Sequence, residues 1–485
     1  MRASPVVASL RSCAILLTSA VAAALVLLLV SKIGEATTGR PPQEWAVGTA
    51  VVAVLAIAVW AHSRWPVPRS LRRVAAANLE QRPGWRVRRF VVVAVFGSAA
   101  ASLVLGAWAV SPRAGERITA WLQVPLLRPE GGVLHFADLA HFYSAARCGK
   151  PIQVGQDLCD PAHRVLNQNP ALVRLVAPVA QHVGLVAAGV ALMVLVIVAV
   201  ALLAATTPHG HLVTIPLLGS PAVALAFERG NLELLMFVLV ATGVLLLSRR
   251  TASPLWILGG LLVLAAAVLK VFPAVFLVPF LVLGEARRRI VAAVALVCGV
   301  AYWLLNADTL GAMLKATERG TADSYGIDTI LPPASSAVPI AVAVTTLAFG
   351  VLLARRASAE EALGLRNQAY ALGFSCFYLF SFFSGANFSY RLVFVALLAG
   401  ADLTGLLGLQ TVLALLVMWL SPEGASRVPQ LALAACAFAI VVSAASRMLA
   451  TARPDTPVGA LAAVLGHRGR GSHQRRDRRP TTTLV

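Results

Sequence analysis

The sequence has little charge for its length. Charged residues make up 13% of the 485 residues, whereas soluble domains carry about 25%. Hydrophobic residues make up 58%, and apolar runs of about 15 to 22 residues recur from end to end. Soluble core helices would show a polar face, which these runs lack, and a β-barrel would need alternating segments of about ten residues, which do not occur. The composition therefore predicts an all-α polytopic membrane protein of about 12 to 14 transmembrane helices.

The sequence also lacks the motifs that mark common enzyme classes. It has no P-loop, no dinucleotide fingerprint, no HExxH motif and no cysteine and histidine cluster with metal-ligand spacing. No pair of carboxylates spaced as DxD lies near Asp138. A nucleotide-sugar or ATP site is therefore unsupported, and a bond-forming enzyme of this kind would need a lipid-linked donor. No metal site or other cofactor is predicted, although a bound divalent ion stays an open alternative.

Acidic residues are scarce. The chain has 41 Lys and Arg residues against 21 Asp and Glu residues, a formal net charge of +20. Nucleic-acid binding would be the first interpretation, but the arginines cluster at the ends of apolar runs, which is the positive-inside pattern. We therefore predict contact with anionic lipid and no nucleic-acid partner. The predicted units are an N-terminal helical hairpin with a basic cytoplasmic loop (1–89), a transmembrane core (90–450) and a basic, disordered cytoplasmic tail (451–485).

The flanking arginines also orient the predicted helices. They place both termini in the cytoplasm of a multi-pass plasma-membrane protein and the segment 111–173 outside it. The residues from Pro254 to Gly284 are basic at both flanks, which predicts two short helices turning near Lys270 to Pro273, with one long tilted helix as the alternative. The other predicted membrane helices are 13–31, 44–62, 90–110, 176–205, 212–227, 232–248, 290–307, 337–354, 367–383, 392–402, 404–420 and 429–450.

Two of the six cysteines, Cys148 and Cys159, flank a short hydrophilic stretch of the predicted outer loop. If the loop is extracytoplasmic, the two could form a disulfide. Two free thiols are the alternative.

Polar residues gather at four places on the predicted outer face, where ionisable groups are expensive near the membrane and usually mark function. The four groups are Asp138 with His135 and His141; Glu228, Arg229, Asn231 and Glu233; Lys270; and Asn387, Tyr390 and Arg391.

Asp138 lies in the stretch HFADLAHFYSAARCGK, residues 135–150. Phe136, Leu139, Tyr143 and Ala146 recur at helical spacing, so we expect an amphipathic interfacial helix with its apolar face on the membrane or on neighbouring helices. His141 would share a face with Asp138. A carboxylate in such a setting can act as a general base, and a capping or solvated aspartate is the simpler alternative.

The cations allow two interpretations each. Lys270 interrupts a run that has no other charge from Pro254 to Val282, so it could bind a phosphate or extend to the lipid headgroups. Arg391 could give a bidentate phosphate contact or be an ordinary helix-end arginine. Capping could explain Asn231, and the helix dipole could explain Glu233.

Four segments together resemble a known family. They are D-x-x-x-F-Y-x-A-A at 138–146, ERGNLE at 228–233, AVLKVFP at 267–273 and NFSYRL at 387–392. In this order the chain is similar, over about residues 90–420, to the GT-C membrane glycosyltransferases, and within them to glycosyltransferase family 87, the polyprenyl-phosphate-sugar-dependent mannosyl- and arabinosyltransferases of actinobacteria.

The resemblance implies a GT-C fold and transfer at the outer membrane face, with inversion. The donor would be a sugar on polyprenyl phosphate, commonly mannose, and the acceptor a glycolipid or lipoglycan hydroxyl. Asp138 would be the general base, and Lys270 and Arg391 would hold the departing phosphate. The residues expected to line the sugar and acceptor pocket are Glu228, Arg229, Asn231, His141, Tyr143, Asn387 and Tyr390. The alternatives are a transporter or flippase of lipid-linked sugars, and a non-catalytic membrane scaffold.

Overall fold

The structure, a computed structural model, describes eleven stretches of the chain: 85–110, 112–121, 134–207, 209–248, 254–316, 324–325, 337–357, 365–383, 387–401, 405–420 and 427–451. The predicted helices 13–31 and 44–62 and nearly all of the predicted tail lie outside these residues. Within them the chain is almost entirely helical. Two short strands, β1 (Ser324–Tyr325) and β2 (Asn387–Phe388), pair in antiparallel orientation.

The helices follow one another in this order along the chain. They are α1 (Trp85–Val110), α2 (Pro112–Trp121), α3 (Ala137–Arg147), α4 (Pro170–His182), α5 (Leu185–Ala204), α6 (Gly210–Leu218), α7 (Pro221–Arg229), α8 (Glu233–Ser248), α9 (Leu255–Leu269), a 3-10 helix (Phe272–Leu277) leading into α10 (Val278–Leu283), α11 (Ala286–Leu305), α12 (Ala307–Ala316), α13 (Ala337–Ala357), α14 (Leu365–Phe383), a second 3-10 helix (Ser389–Gly400), α15 (Gly405–Leu420) and α16 (Arg427–Thr451).

Several predicted segments differ from the helices that form. The single helix predicted at 176–205 was wrong, because Val183 and Gly184 adopt extended backbone and divide it into α4 and α5. The predicted outer segment 111–173 contains α2 besides the expected helix α3, and the segment between the predicted helices 290–307 and 337–354 begins with most of α12. A hydropathy pattern does not detect such breaks, since the residues on both sides of them are equally apolar.

The helix predicted at 212–227 is a bent pair. Helices α6 and α7 meet at an angle of 59°. Ser220 caps α7 by accepting a hydrogen bond from the backbone N–H of Val223, and Pro221 occupies the first turn, where its missing N–H costs nothing. This bend brings the end of α7, with Glu228 and Arg229, back toward α3.

Helices α8 and α9 pack antiparallel at very short range. Gly243 and Gly259 face each other, and a Cβ on Gly243 would lie 2.8 Å from the carbonyl oxygen of Gly259. Small residues at such a crossing let two membrane helices approach closely. Helix α8 therefore runs away from Glu233, and α9 returns to end beside it at Lys270.

The predicted turn at Lys270 is present. Helix α9 ends at Leu269, and Lys270 is extended. Gly260 of α9 lies against Val291 of α11, and Gly299 of α11 lies against Ala267 of α9. These contacts make α9 and α11 parallel, so the segment Phe272–Leu283 between them runs in the opposite direction. The two short helices predicted from the basic flanks are thus found, the second being part 3-10 helix.

The core under the turn is aromatic. Phe237, Phe272, Phe276, Phe377 and Phe394 come from four different elements, and their rings meet at centroid distances between 4.8 and 5.7 Å. Such ring pairs add specific geometry to the burial of apolar area. This packing holds the two 3-10 helices in place, and with them the turn at Lys270 and the residues next to it.

In the described part of the chain, three helices are long and apolar enough to cross a membrane. They are α5, α11 and residues 428–446 of α16, and the bent pair α6 and α7 would be a fourth. The other apolar stretches of the described residues, some of them parts of longer helices such as α1 and α13, are 10 to 17 residues long. The fold is therefore compatible with an all-α membrane protein, and the predicted total of about 12 to 14 spans and the sidedness stay predictions.

Candidate functional site

The site is built around α3, which carries Asp138. Seven of its eleven residues are buried against the rest of the protein, so its apolar face lies on neighbouring elements, which is one of the two placements expected. Just before it, Phe136 adopts left-handed backbone (φ 53°) and donates its N–H to the carbonyl oxygen of Glu228 at 2.7 Å. This bond joins the start of α3 to the end of α7.

Gly230 makes the same junction possible. Its φ of 58° is left-handed, which ends α7, and a Cβ there would lie 3.0 Å from the side chain of Phe136. Only glycine satisfies both the conformation and the close approach at no cost. The glycine therefore lets Asn231 and Asp138 come together.

Both carboxylate oxygens of Asp138 accept hydrogen bonds. Arg164 donates to Oδ1 at 2.8 Å, and the Asn231 amide donates to Oδ2 at 2.5 Å. A second guanidinium, that of Arg229, lies 3.9 Å from Oδ1. The side chain of Asp138 keeps 17% of its surface exposed. A carboxylate has about four acceptor positions, so Asp138 is fixed in orientation and can still accept one more hydroxyl.

Arg164 is itself held by a buried acid, Asp160. Its Nε donates to Asp160 at 2.9 Å, and another of its nitrogens donates to the Ala137 carbonyl at 2.6 Å. A disulfide joins Cys148 to Cys159, the residue next to Asp160, as the sequence allowed. The loop that delivers Asp160 and Arg164 is therefore closed on the end of α3.

The charge of Asp160 is stabilised by its neighbours. Burial alone would raise its pKa, but His141 and Arg164 oppose this and hold the pKa of Asp160 well below its usual range. The Nδ1 atom of His141 lies 3.3 Å from Asp160, and both side chains are buried. His141 was expected to share a face with Asp138, and its polar contact is instead with Asp160.

A second group of charges surrounds Glu233. Glu233, at the start of α8, accepts hydrogen bonds on the same oxygen from Lys270 and from Arg391, the latter at 3.1 Å. Its side chain has no exposed surface. The guanidinium of Arg391 also lies over the ring of Phe272, 5.7 Å from its centroid. We call Lys270 and Arg391 the cation pair.

Asn231 connects the two groups of charges. Its amide nitrogen binds Asp138, while its side-chain oxygen accepts from the backbone N–H of Glu233 at 2.8 Å. The expected N-cap role is thus present together with a bond to the candidate base. Asp138, Asn231, Glu233 and the cation pair lie at one end of the helical bundle, which we call the polar end.

Asn169 anchors the loop of Arg164 to the same end. Its side-chain amide donates to the carbonyl oxygen of Val268 at 2.9 Å and to the hydroxyl of Tyr302 at 3.1 Å, while its oxygen caps α4. This ties the loop to the last turn of α9, two residues before Lys270.

Glu228 is buried beside Asp138 with only loose ion pairs. Its oxygens lie 3.7 Å from Arg229 and 3.8 Å from His135. Within the described residues neither oxygen has a hydrogen-bond partner. A buried carboxylate without hydrogen bonds is costly, so Glu228 is a candidate to bind a polar ligand group.

The structure gives less detail on the remaining predicted residues, Tyr143, Asn387 and Tyr390. Tyr143 is buried, its ring lies under Arg147, and burial raises its pKa. Asn387 lies in β2 and Tyr390 in the second 3-10 helix, but their side chains lie outside the described part of the structure.

Sequence reasoning missed Asp160 and Arg164. A signal was available: Arg164 is an arginine in a segment assigned to the outer side, where the positive-inside rule gives it no reason to be. Arg229 and Arg391, also assigned to the outer side, meet the same criterion. Among the described residues, no group of three or more His, Cys, Asp or Glu side chains could hold a metal ion.

Compared with models of protein families, with curated proteins and with solved structures, the chain gives no match. The likeness to glycosyltransferase family 87 therefore depends on the four sequence segments alone. Their candidate residues Asp138, Asn231, Lys270 and Arg391 are connected through Asn231 and Glu233.

Proposed function

We propose that the chain is a membrane glycosyltransferase. It moves a sugar, mannose as the first candidate, from a polyprenyl-phosphate donor to a hydroxyl of a glycolipid or lipoglycan at the outer face of the plasma membrane. One observation supports this most strongly: an oriented carboxylate, Asp138, is linked through Asn231 and Glu233 to the cation pair. A base and a phosphate site are the two groups that such a transfer requires.

The chemistry follows from these positions. Asp138 accepts the proton of the acceptor hydroxyl while the hydroxyl oxygen forms a bond to the anomeric carbon. The bond from that carbon to the phosphate oxygen breaks, and the lipid phosphate leaves with the electron pair. Lys270 and Arg391 offset the negative charge that develops on the phosphate, which is electrostatic stabilisation of the transition state. Attack and departure on opposite sides invert the configuration.

The other candidate residues differ in their contacts with Asp138 and its neighbours. Arg229 and Asn231 lie within 3.9 Å of Asp138, and the oxygens of nearby Glu228 accept no hydrogen bond from the described residues. These three are placed to contact the sugar or the acceptor. His141 contacts Asp160 and fits a positioning role better than a ligand contact.

The test is transfer by the purified full-length protein, with a short polyprenyl-phosphate sugar as donor and a glycolipid extract as acceptor. Asp138→Asn keeps the size of the side chain and removes the base, so transfer should fall by about 10² to 10⁴ while the protein remains folded and helical. Asp308→Asn is the matched control, because Asp308 is exposed in the first turn of α12.

Undiminished transfer by the Asp138→Asn variant would reject the proposal. Movement of lipid-linked sugar across reconstituted vesicles with no bond formed would instead indicate the flippase alternative.

A further inference from the structure

Glu233 uses only one of its two carboxylate oxygens. Oε1 accepts from both members of the cation pair, and Oε2 has no hydrogen-bond partner in the described part of the chain. The side chain is completely buried, whereas Lys270 and Arg391 keep 12% and 20% of their side-chain surfaces exposed. The cations can therefore be reached from outside while the acid beneath them cannot.

We propose that Glu233 is a fixed counter-ion that limits the phosphate site to a single negative charge. The site would accept a phosphodiester, such as a polyprenyl-phosphate sugar, and would discriminate against lipid phosphates of higher charge. This inference rests on the proposed donor site. It adds a specificity-determining residue that does not contact the phosphate: Glu233 acts through Lys270 and Arg391.

The charges around the site support this. The cation pair and Glu233 together carry one positive charge, so a phosphodiester monoanion makes the group neutral. Among the described residues the neighbouring charges supply no spare cation, because Asp138, Asp160 and Glu228 are set against Arg164 and Arg229.

A second negative charge would then remain uncompensated at a largely buried position, which is costly. A phosphate monoester carries about −1.5 to −2 at pH 7, and a lipid diphosphate carries more. Transfer itself converts the diester donor into a monoester product. Glu233 would therefore both exclude diphosphate-linked lipids and favour release of the lipid phosphate product.

The experiment measures binding, not transfer. Wild-type, Glu233→Gln and Glu285→Gln proteins, purified at full length in detergent, are titrated at pH 8 with farnesyl methyl phosphate, farnesyl phosphate and farnesyl diphosphate. The three probes share one chain and differ in charge. Glu285→Gln is the matched control, since Glu285 is 68% exposed at the far end of α11.

The wild type should bind the diester more tightly than the diphosphate. In the Glu233→Gln protein the ratio of the two dissociation constants should move by about tenfold or more toward the diphosphate, the size of one added charge interaction, and the control should keep the wild-type ratio. An unchanged ratio in Glu233→Gln, or an equal change in the control, would overturn the counter-ion role and leave the donor site standing.

Absence of binding of all three probes to the wild type would overturn the donor site and this inference together. If Glu233→Gln does not fold, the wild-type ranking decides, because tighter binding of the diphosphate than of the diester contradicts the inference.

Discussion

Removing the Arg164 side chain should impair the proposed base, Asp138, although Asp138 itself is not mutated. Arg164 bonds Asp138, Asp160 and the Ala137 carbonyl at once, so Arg164→Ala leaves Asp160 buried without its main partner and frees Asp138 to turn. Breaking a buried ion pair costs about 3 to 5 kcal/mol. Arg164 is 25% exposed and His141 still faces Asp160, so we expect about 2 to 3 kcal/mol of unfolding free energy.

The loss of activity should be larger than the loss of stability explains. A catalytic group misplaced by about 1 Å can cost about 10²-fold in rate, so kcat for sugar transfer should fall by about that factor. The KM for the lipid donor should stay near the wild-type value, because the cation pair is untouched. Arg164→Lys should recover part of the loss, since a lysine keeps the charge but not the forked geometry.

A double-mutant cycle makes the reasoning testable. Chemical unfolding of Arg164→Ala, Asp160→Asn and the double variant should show a coupling of about 1 to 3 kcal/mol, because removing both partners leaves no unpaired buried charge. Arg174→Ala, an exposed arginine of α4, should change stability by less than about 0.5 kcal/mol. Additive effects of the two single changes, or wild-type kcat in Arg164→Ala, would refute the positioning role.

Three further predictions concern the same end of the molecule. Opening the disulfide by Cys148→Ser with Cys159→Ser should lower thermal stability, by up to about 3 kcal/mol for a short loop, and lower transfer, and dithiothreitol should reproduce both effects only in the wild type. Gly230→Ala should cost about 1 to 3 kcal/mol and reduce transfer, because a Cβ at φ 58° meets Phe136 at 3.0 Å; wild-type melting would contradict the junction. The pKa of Asp160 is lowered by folding, so its contribution to stability is complete at neutral pH and fades as the pH falls below about 5. The difference in melting temperature between wild type and Asp160→Asn should therefore be nearly constant down to about pH 5 and should shrink as the pH is lowered further, toward about pH 2, and a constant difference over that lower range would count against the assignment.

The sequence alone predicted an all-α membrane protein, because its composition and the length of its apolar runs indicate which segments avoid water. It also predicted the turn at Lys270, since basic residues on both flanks of Pro254 to Gly284 favour two short helices over one long tilted helix. The helix at Asp138 was predicted from the period of its apolar residues. Each of these depends on composition or on a pattern along the chain, which the linear sequence records.

Tertiary packing decided the rest. Arg164 reaches Asp138 across 26 positions, and Arg391 reaches Glu233 across 158. The sequence presented Glu233 as a helix-start acid and Lys270 and Arg391 as separate cations. Only the antiparallel approach of α8 and α9, set by Gly243 and Gly259, brings Lys270 onto Glu233. Pairings of this kind depend on how closely two backbones can approach, and the local propensities of the sequence contain no information on that distance.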